Sequence, residues 1–260
     1  MTKAEKRERR RQYKFVLKEL VSREVKRKYA RSYLGILWSV LNPLLSMIVL
    51  SVIFSQMFRH SIEKYPVYYL TGFIIWTMFT GATNAAMTTL VDNKTMLIKV
   101  KFPMRIFVMS RVYTALVNFL YSLIPYVGIL MFFKVRVTWT IILYPFIIGF
   151  LLMFSLGFSY MLSVAYVFFG DVKHLYSVVL TLWMYCSAIF YPVDMLPEFV
   201  RELIIMNPIY NYINCAREVV MYGQIPGAME IIRLLAWSFG IFILGTVIFE
   251  KNKNNVMQKM

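Results

Sequence analysis

The segment DNKTMLIKVKFPMRIFVMSR, residues 92–111, carries five Lys or Arg residues and lies between two long segments without any charged residue. A transmembrane helix needs about 20 mainly apolar residues. Five uncharged apolar segments reach or approach this length, and a sixth contains only Arg233, whose long side chain can reach the membrane interface. The sequence therefore predicts an all-α polytopic membrane protein with six transmembrane helices. The predicted spans cover residues 34–58, 66–91, 108–133, 139–169, 175–193 and 231–249.

The distribution of basic residues predicts the orientation of these spans. With six crossings, 22 of the 29 Lys and Arg residues fall on one side of the membrane, in segments 1–33, 92–111, 170–174 and 250–260. Loops rich in Lys and Arg stay in the cytoplasm, so both termini are expected there, in a multi-pass protein of the cell membrane. The net charge of +16 then reflects topology and contact with anionic lipids. The positive charge therefore no longer argues for a nucleic-acid partner.

Three regions are predicted along the chain. Residues 1–33 form a basic cytoplasmic tail, residues 34–250 form one transmembrane domain, and residues 251–260 form a second cytoplasmic tail. Within the first region, apolar residues recur at helical spacing from Tyr13 to Val21, with Lys and Arg on the other faces. This pattern is typical of an amphipathic helix at the inner membrane surface.

Motif searches argue against several kinds of chemistry. The sequence contains no GxxxxGK[ST], GxSxG or HExxH motif, so neither a nucleotide-binding P-loop nor these hydrolase sites are expected. Cys186, Cys215, His60 and His174 lie in separate segments, and no metal site or disulfide is predicted. The first five spans hold no charged residue at mid-membrane depth, which ion-coupled carriers usually have. Energy for transport is therefore expected from a partner.

The region between the fifth and sixth spans is divided by four prolines between residues 191 and 227. The apolar pieces between its charged residues are too short to cross a membrane. Two short re-entrant helices that meet at Asn207 and Pro208 are predicted, and their backbone groups require burial against other helices.

This outer region is interpreted as a gate at the outer membrane face. Arg217 and Glu218 are expected to pair with the charged residues Glu202 or Arg201 of the first short helix. The alternative is an ordinary outer cap without any gating role.

Four sequence blocks, in order along the chain, suggest a family. RKYARSYLGILWSVLNPL opens the first span at residues 27–44, and LIKVKFPMRIF follows the second at 97–107. VFFGDVKHL follows the fourth at 167–175, and IFYPVDMLPEFVRELIIMNPIYNYINCAREVV follows the fifth at 189–220. Together they resemble ABC-2 type permeases that export cell-surface polysaccharides. One departure is Gly170, where many relatives carry arginine before the aspartate.

The resemblance implies a homodimer that works with two copies of a separate P-loop ATPase. No cofactor is expected in this chain, because ATP and Mg²⁺ would bind the ATPase. The cargo would be a polyprenyl-diphosphate-linked glycan, such as O-antigen, capsule or teichoic acid. Two cytoplasmic loops of such permeases contact the ATPase. Here the corresponding residues are Asp92, Lys94, Lys99, Lys101, Phe102, Asp171, Lys173 and His174, and a short helix is predicted from Asp92 to Lys101.

Sugars and diphosphate head groups require different side chains. Aromatic rings stack on the C–H faces of sugars, although Trp and Tyr also concentrate at membrane interfaces and in cores. Basic residues attract diphosphates at the inner leaflet, although they also fix topology. The aromatic candidates are Trp38, Tyr68, Tyr69, Trp76, Trp183, Tyr185, Phe190 and Tyr191. The basic candidates are Lys26, Arg27, Lys28, Arg31 and Arg105.

Three alternative functions remain compatible with the sequence. The first is an ABC-2 permease for another cargo, such as a drug or a small lipid. The second is a membrane enzyme acting on lipid-linked sugars, for which Asp194 and Glu198 are the nearest pair of outer carboxylates. The third is a channel or scaffold that binds no ATPase.

Overall fold

The computed structural model of the chain describes residues 3–29, 37–57, 62, 64–99 and 102–259. These residues form helices joined by turns, and no strand occurs among them, so the all-α prediction is confirmed for this part of the chain. The helices are α1 (Lys3–Tyr29), α2 (Leu37–Met57), α3 (Tyr65–Met87), α4 (Thr89–Asp92), α5 (Lys94–Lys99), α6 (Arg105–Phe132), α7 (Tyr144–Phe168), α8 (Val172–Tyr185), α9 (Glu198–Met206), α10 (Pro208–Arg217) and α11 (Ala228–Lys259). A 3₁₀ turn at Trp139–Leu143 precedes α7, and a π-helical turn at Glu218–Tyr222 follows α10.

Three helical segments of the described chain are long and apolar enough to cross a membrane, namely Arg105–Phe132, Trp139–Phe168 and Ala228–Lys259. Residues Pro43–Phe54 of α2 form a shorter apolar helix. Helix α3 is 23 residues long but contains several Tyr and Thr residues, and it is not among these three segments. Most of α3 is buried by its neighbours, and its polar residues Thr71 and Thr83 lie inside the bundle.

Helix α8 is shorter than the predicted span at 175–193, because it ends at Tyr185. Its 14 residues rise about 21 Å, less than the roughly 30 Å of a hydrocarbon core. Hydropathy does not reveal this end, since residues 186–193 are also apolar. The end is fixed by a tertiary contact instead: Asn207 Nδ2 donates to the carbonyl of Cys186 at 2.8 Å and to Ser187 Oγ at 3.2 Å.

Helices α3, α7 and α11 run in one direction and α6 runs in the opposite direction, and together they define two ends of the bundle. At one end, the first residues of α3, α7 and α11 meet α10 and the turn after it. We call this the hairpin end. At the opposite end, α1 packs against the start of α6 and the last turns of α11, through Leu20, Ile106, Phe249 and Val256. We call this the basic end.

Contacts at the basic end join three of the four segments that the charge pattern assigned to the cytoplasm, and reach the last residue of α7, just before the fourth segment. Tyr13 and Phe102 rings pack edge to face at 6.3 Å. Arg105 forms an ion pair with Glu250 at 2.5 Å. Lys259 Nζ donates to the carbonyl of Phe168 at 3.1 Å. The described parts of these segments therefore lie on the same side of the bundle.

Helices α7 and α11 form the most extensive helix pair in the described structure. Their contact includes Gly157 and Gly245, and Ser155, Ser159 and Ser163 of α7 are also completely buried. Small side chains let two helix backbones approach closely, which is a common way of packing helices in membranes. The short spacing between these residues on α7 is visible in the sequence, but the sequence does not identify the partner helix.

Candidate functional site

The guanidinium of Arg217 lies at the hairpin end, where α10 meets α3. Its side chain is 2 % exposed. Nη1 donates to the carbonyl of Ala188 at 3.0 Å, and Nη2 donates to the carbonyls of Ile189 and Tyr68 at 3.1 and 3.3 Å. The guanidinium carbon also lies 3.4 Å from the centre of the Tyr68 ring, in a cation–π contact. We call Arg217, Tyr68, Ala188 and Ile189 the arginine clamp.

The backbone between α8 and α9 explains why these carbonyls are available. Ala188 has a φ of 46°, in the left-handed region that residues with a Cβ rarely adopt. The helical hydrogen-bond pattern stops there, so the carbonyls of Ala188 and Ile189 need donors from elsewhere. Arg217 supplies them, and the carbonyls in turn stabilise the buried charge through hydrogen bonds.

The predicted ion pairs of Arg217 and Glu218 with the oppositely charged residues Glu202 and Arg201 are wrong in their partners. Arg201 instead pairs with Asp194 at 3.5 Å on the surface. Arg217 lies on the buried face of α10, whereas Glu202 is exposed on α9. A ten-residue helix gives too little periodicity for the sequence to show which side faces the bundle.

Asn207 connects the hairpin to the end of α8. Its side-chain oxygen accepts from the backbone N–H of Ile209 at 2.9 Å, which caps α10, and from Trp183 Nε1 at 2.9 Å. Pro208 occupies the first position of α10, where a missing N–H costs nothing. Asn207 therefore fixes both the start of α10 and the position of the segment after Tyr185.

The predicted aromatic path residues divide into exposed and buried groups. Trp38 and Tyr185 are exposed, at 49 and 57 %. Tyr68, Tyr69 and Trp76 are 5, 1 and 5 % exposed and contribute to the core of this chain. The remaining three, Trp183, Phe190 and Tyr191, are half-buried. The core members hold the turn after α8 in place, since Tyr68 Oη donates to the carbonyl of Tyr191 at 2.9 Å.

The predicted ATPase-contacting residues lie at the basic end. The predicted helix from Asp92 to Lys101 corresponds to the end of α4, a break at Asn93, and α5. Leu97 anchors α5 in the core at the basic end, while Ile98 on the same helix is 60 % exposed. Of the predicted set, Asp92, Lys94, Lys99, Asp171, Lys173 and His174 are exposed, Phe102 is half-buried, and Lys101 lies outside the described residues.

The predicted head-group residues differ in how free they are to bind a phosphate. Lys26 is exposed. Arg105 is paired with Glu250, so part of its charge is already balanced within the protein. The side chains of Arg27 and Lys28, and the whole of Arg31, lie outside the described part of the structure.

A group of acidic side chains at the hairpin end was not identified from the sequence. Asn214 Nδ2 donates to Glu218 at 3.1 Å and to Glu230 at 2.8 Å. The thiol of Cys215 and oxygens of both carboxyl groups lie within 4.8 Å of one another. Burial and the neighbouring Glu230 carboxyl raise the pKa of Glu218 to about 7. Glu218 and Glu230 belong to different elements, so their sequence positions gave no sign of this contact.

The substitution Glu218→Gln is expected to weaken a pH dependence of stability. The pKa of Glu218 is raised from 4.5 to about 7 in the folded state, so folding takes up a proton in this range. The wild-type contribution is complete at low pH and is lost as pH rises through about 7. The thermal midpoint in detergent should therefore fall less for the Gln variant between about pH 6 and about pH 8. Glu198→Gln, at the exposed start of α9, is the control, and an unchanged slope for Glu218→Gln contradicts the prediction.

Comparison with known proteins adds relatives over nearly the whole chain. A family model described as ABC-2 type transporter matches residues 16–221. An O-antigen export system permease protein RfbA of Myxococcus xanthus is 30 % identical over 251 residues, covering 96 % of each chain. A protein of the same name from Klebsiella pneumoniae is 30 % identical over 240 residues, or 90 % of each chain. The polysialic acid transport protein KpsM of Escherichia coli is 20 % identical over 258 residues, covering 94 % of this chain and 96 % of the relative.

The family resemblance drawn from the four sequence blocks is thus confirmed by a match that extends from α1 to the turn after α10. The same match accounts for the long apolar helices, since ABC-2 transporters act within a membrane. This chain is therefore an integral membrane protein of the ABC-2 type transporter family.

Proposed function

We propose that this chain is the permease of an ATP-driven exporter that moves a polyprenyl-diphosphate-linked polysaccharide to the outer side of the membrane. The observation that carries this proposal is the match to an O-antigen export permease over 96 % of both chains. The KpsM relatives broaden the cargo class to surface polysaccharides. The enzyme alternative is not favoured, because the relatives matched over nearly the whole chain are export and transport proteins.

The proposed topology has six crossings, formed by α2, α3, α6, α7, α8 and α11, with the basic end in the cytoplasm. It is supported by the contacts that gather the basic segments at one end and by the rule that such segments remain cytoplasmic. Helices α9 and α10 then re-enter the outer leaflet. With only 14 residues, α8 reaches part of the way across the membrane. The rest of the thickness, in the outer leaflet, is occupied by α9 and α10.

The proposed ATPase contacts are α5 with its flanking residues, and the turn before α8. Their support is exposure at the basic end of apolar residues beside charged ones, with Ile98 60 % and Phe169 69 % exposed. A separate P-loop ATPase, present in two copies against a permease homodimer, would bind there. ATP and Mg²⁺ would be held by the ATPase.

The glycan path is proposed to follow the exposed aromatic residues, with Trp38 and Tyr185 as the first candidates. The exposed Lys26 and the basic residues near α5 would meet the diphosphate at the inner leaflet. The outer gate is proposed at the arginine clamp, because that clamp joins α10, α3 and the segment after α8. A change in any one of these elements would be transmitted to the other two.

Copurification from the native host tests the proposed function. The wild-type permease is expected to bring down a P-loop ATPase in equal amount, and its hydrolysis of ATP is expected to rise with polyprenyl-linked glycan. Ile98→Glu should abolish ATPase recovery, because it places a charge on an apolar residue in the contact surface without disturbing the core.

Met257→Glu is the matched control for this variant, since Met257 is also an exposed apolar residue at the basic end, at 42 %. It should recover the ATPase normally. Absence of an ATPase from wild-type preparations in several mild detergents would overturn the exporter proposal in favour of an enzyme, channel or scaffold. If Ile98→Glu recovers as much ATPase as the wild type, the ATPase does not bind at α5.

A further inference from the structure

Glu24 is a buried carboxylate in a helix dominated by basic residues. Helix α1 carries apolar residues toward the protein and basic residues toward the surroundings, yet Glu24 is only 8 % exposed. A buried carboxylate is costly unless it has charged or hydrogen-bonding partners. Its position therefore requires a specific partner on the element that α1 packs against.

The partner of Glu24 is Arg111 of α6, whose side chain is 14 % exposed. One guanidinium nitrogen of Arg111 forms an ion pair with Glu24 Oε2. Arg111 Nε donates to Thr89 Oγ1 at 3.2 Å. A single arginine thus links α1, α6 and the first residue of α4.

Arg23 makes a second connection between α1 and the same region. Its Nη2 donates to Asn93 Oδ1 at 3.2 Å and to Glu24 Oε1 at 3.3 Å. Asn93 in turn donates from Nδ2 to the carbonyl of Thr89 at 2.8 Å. Thr89 and Asn93 are the two ends of α4, so the network holds the one-turn helix at both ends.

The location of α4 gives this network its significance. Helix α3 ends at Met87, α4 follows as a single turn, and the break at Asn93 separates it from α5. Along the chain, a force applied to α5 reaches α3 through α4 and the break at Asn93, which we call the α4–α5 joint. The described polar contacts fasten the joint to α1 and α6, so displacement of α5 must either move those helices or break the network.

We propose that Glu24 and Arg111 are positioning residues that couple the α4–α5 joint to the N-terminal helix. Movement of α5, imposed by a bound ATPase, would then move α1 and α6 together. This inference rests on the proposed function for the source of the force, although the mechanical link itself does not. Neither residue is expected to touch the ATPase, since Glu24 and Arg111 are both largely buried.

The experiment compares Glu24→Gln, Arg111→Gln and the charge exchange Glu24→Arg with Arg111→Glu. Glu19→Gln is the control, because Glu19 lies on the same helix but is exposed. Each single variant should keep ATPase recovery while losing about tenfold in glycan exported per ATP hydrolysed, a size typical of coupling between sites. The charge exchange should restore a substantial part of that ratio.

Two readouts separate coupling from a purely structural role. The proposal would be overturned if export, ATPase recovery and the thermal midpoint all fell together and the charge exchange restored none of them. So would an unchanged ratio of glycan exported to ATP hydrolysed in both single variants.

Amide hydrogen exchange of the permease alone in lipid nanodiscs tests the link without any ATPase. Glu24→Gln should accelerate exchange at residues 89–99, with no change in the middle of α7, whereas Glu19→Gln should leave both unchanged. Unchanged exchange at residues 89–99 in Glu24→Gln would overturn the link. If exchange accelerates as expected but wild-type permease recovers no ATPase, the link stands and the proposed function fails.

Discussion

Alanine at Gly245 is expected to prevent the close packing of α7 against α11 and to reduce sharply the amount of folded permease. A Cβ at residue 245 would lie 2.0 Å from the carbonyl oxygen of Gly157 and 2.7 Å from its carbonyl carbon. Alanine at Gly157 meets the same problem, because its Cβ would lie 2.4 Å from the carbonyl oxygen of Ile241. In both cases the obstacle is backbone, which cannot rotate away as a side chain can.

The size of this effect follows from what must move. Overpacking a core with one extra methyl group usually costs about 1–3 kcal/mol when side chains can adjust. Here two helix backbones have to separate, so the loss of unfolding free energy should lie at or above the upper part of that range. Since α7 and α11 form the most extensive helix pair, separating them also loosens the core around the arginine clamp.

The measurement is the thermal midpoint and the monodisperse yield of permease extracted in mild detergent. Gly240→Ala on α11 and Gly149→Ala on α7 are matched controls, because an added Cβ at either position meets no atom within 4 Å. Both controls should behave like wild type, whereas Gly245→Ala and Gly157→Ala should not. Equal midpoints for Gly245→Ala and Gly240→Ala would contradict the close approach of the two helices.

Apolar runs and charge identified much of the helical architecture from the sequence. The basic segments were assigned to one side, and the structure joins two of them, 92–111 and 250–260, through Arg105 and Glu250. Helix α8 ends at Tyr185, before the end of the fifth predicted span, because a continuous apolar run does not show where Asn207 will bind the end of the helix. Hydropathy records the preference for an apolar environment but not the tertiary hydrogen bonds that interrupt a helix.

The candidate site was only partly predictable for a related reason. Arg217 was selected from the sequence, because a charged residue in an apolar region is unusual. Its partners are carbonyls released by the backbone conformation at Ala188, and carbonyls occur at every residue and carry no sequence signal. Glu24 and Arg111 were hidden for the opposite reason, since charged residues are common in segments 1–33 and 92–111.

The substitution Arg217→Lys is expected to abolish most export while leaving the permease in the membrane. A guanidinium presents five N–H donors on a planar group, and here it reaches the carbonyls of Tyr68, Ala188 and Ile189 together. A lysine ammonium has a single nitrogen, so at least one buried carbonyl would lose its partner, at a cost of about 1–3 kcal/mol. The contact with the face of the Tyr68 ring would also weaken.

Loss of these contacts should act on the proposed outer gate before it acts on the whole fold. The clamp joins α10 to α3 and to the turn after α8, whereas the packing of α7 against α11 does not depend on Arg217. Surface glycan should therefore fall at least about tenfold, equivalent to 1.4 kcal/mol in an equilibrium between gate conformations. Permease abundance in isolated membranes should remain close to that of the wild type.

Arg201→Lys provides the control for Arg217→Lys, since it makes the same chemical change at an exposed arginine of α9, the other short helix of the hairpin region. Arg201 pairs with Asp194 at 3.5 Å, and such surface pairs contribute about 0–1 kcal/mol. Surface glycan should then be normal in Arg201→Lys and low in Arg217→Lys at equal permease abundance. Normal surface glycan in Arg217→Lys would show that the clamp only supports the fold, because a gate held by three carbonyl contacts cannot lose one of them without a change in its equilibrium.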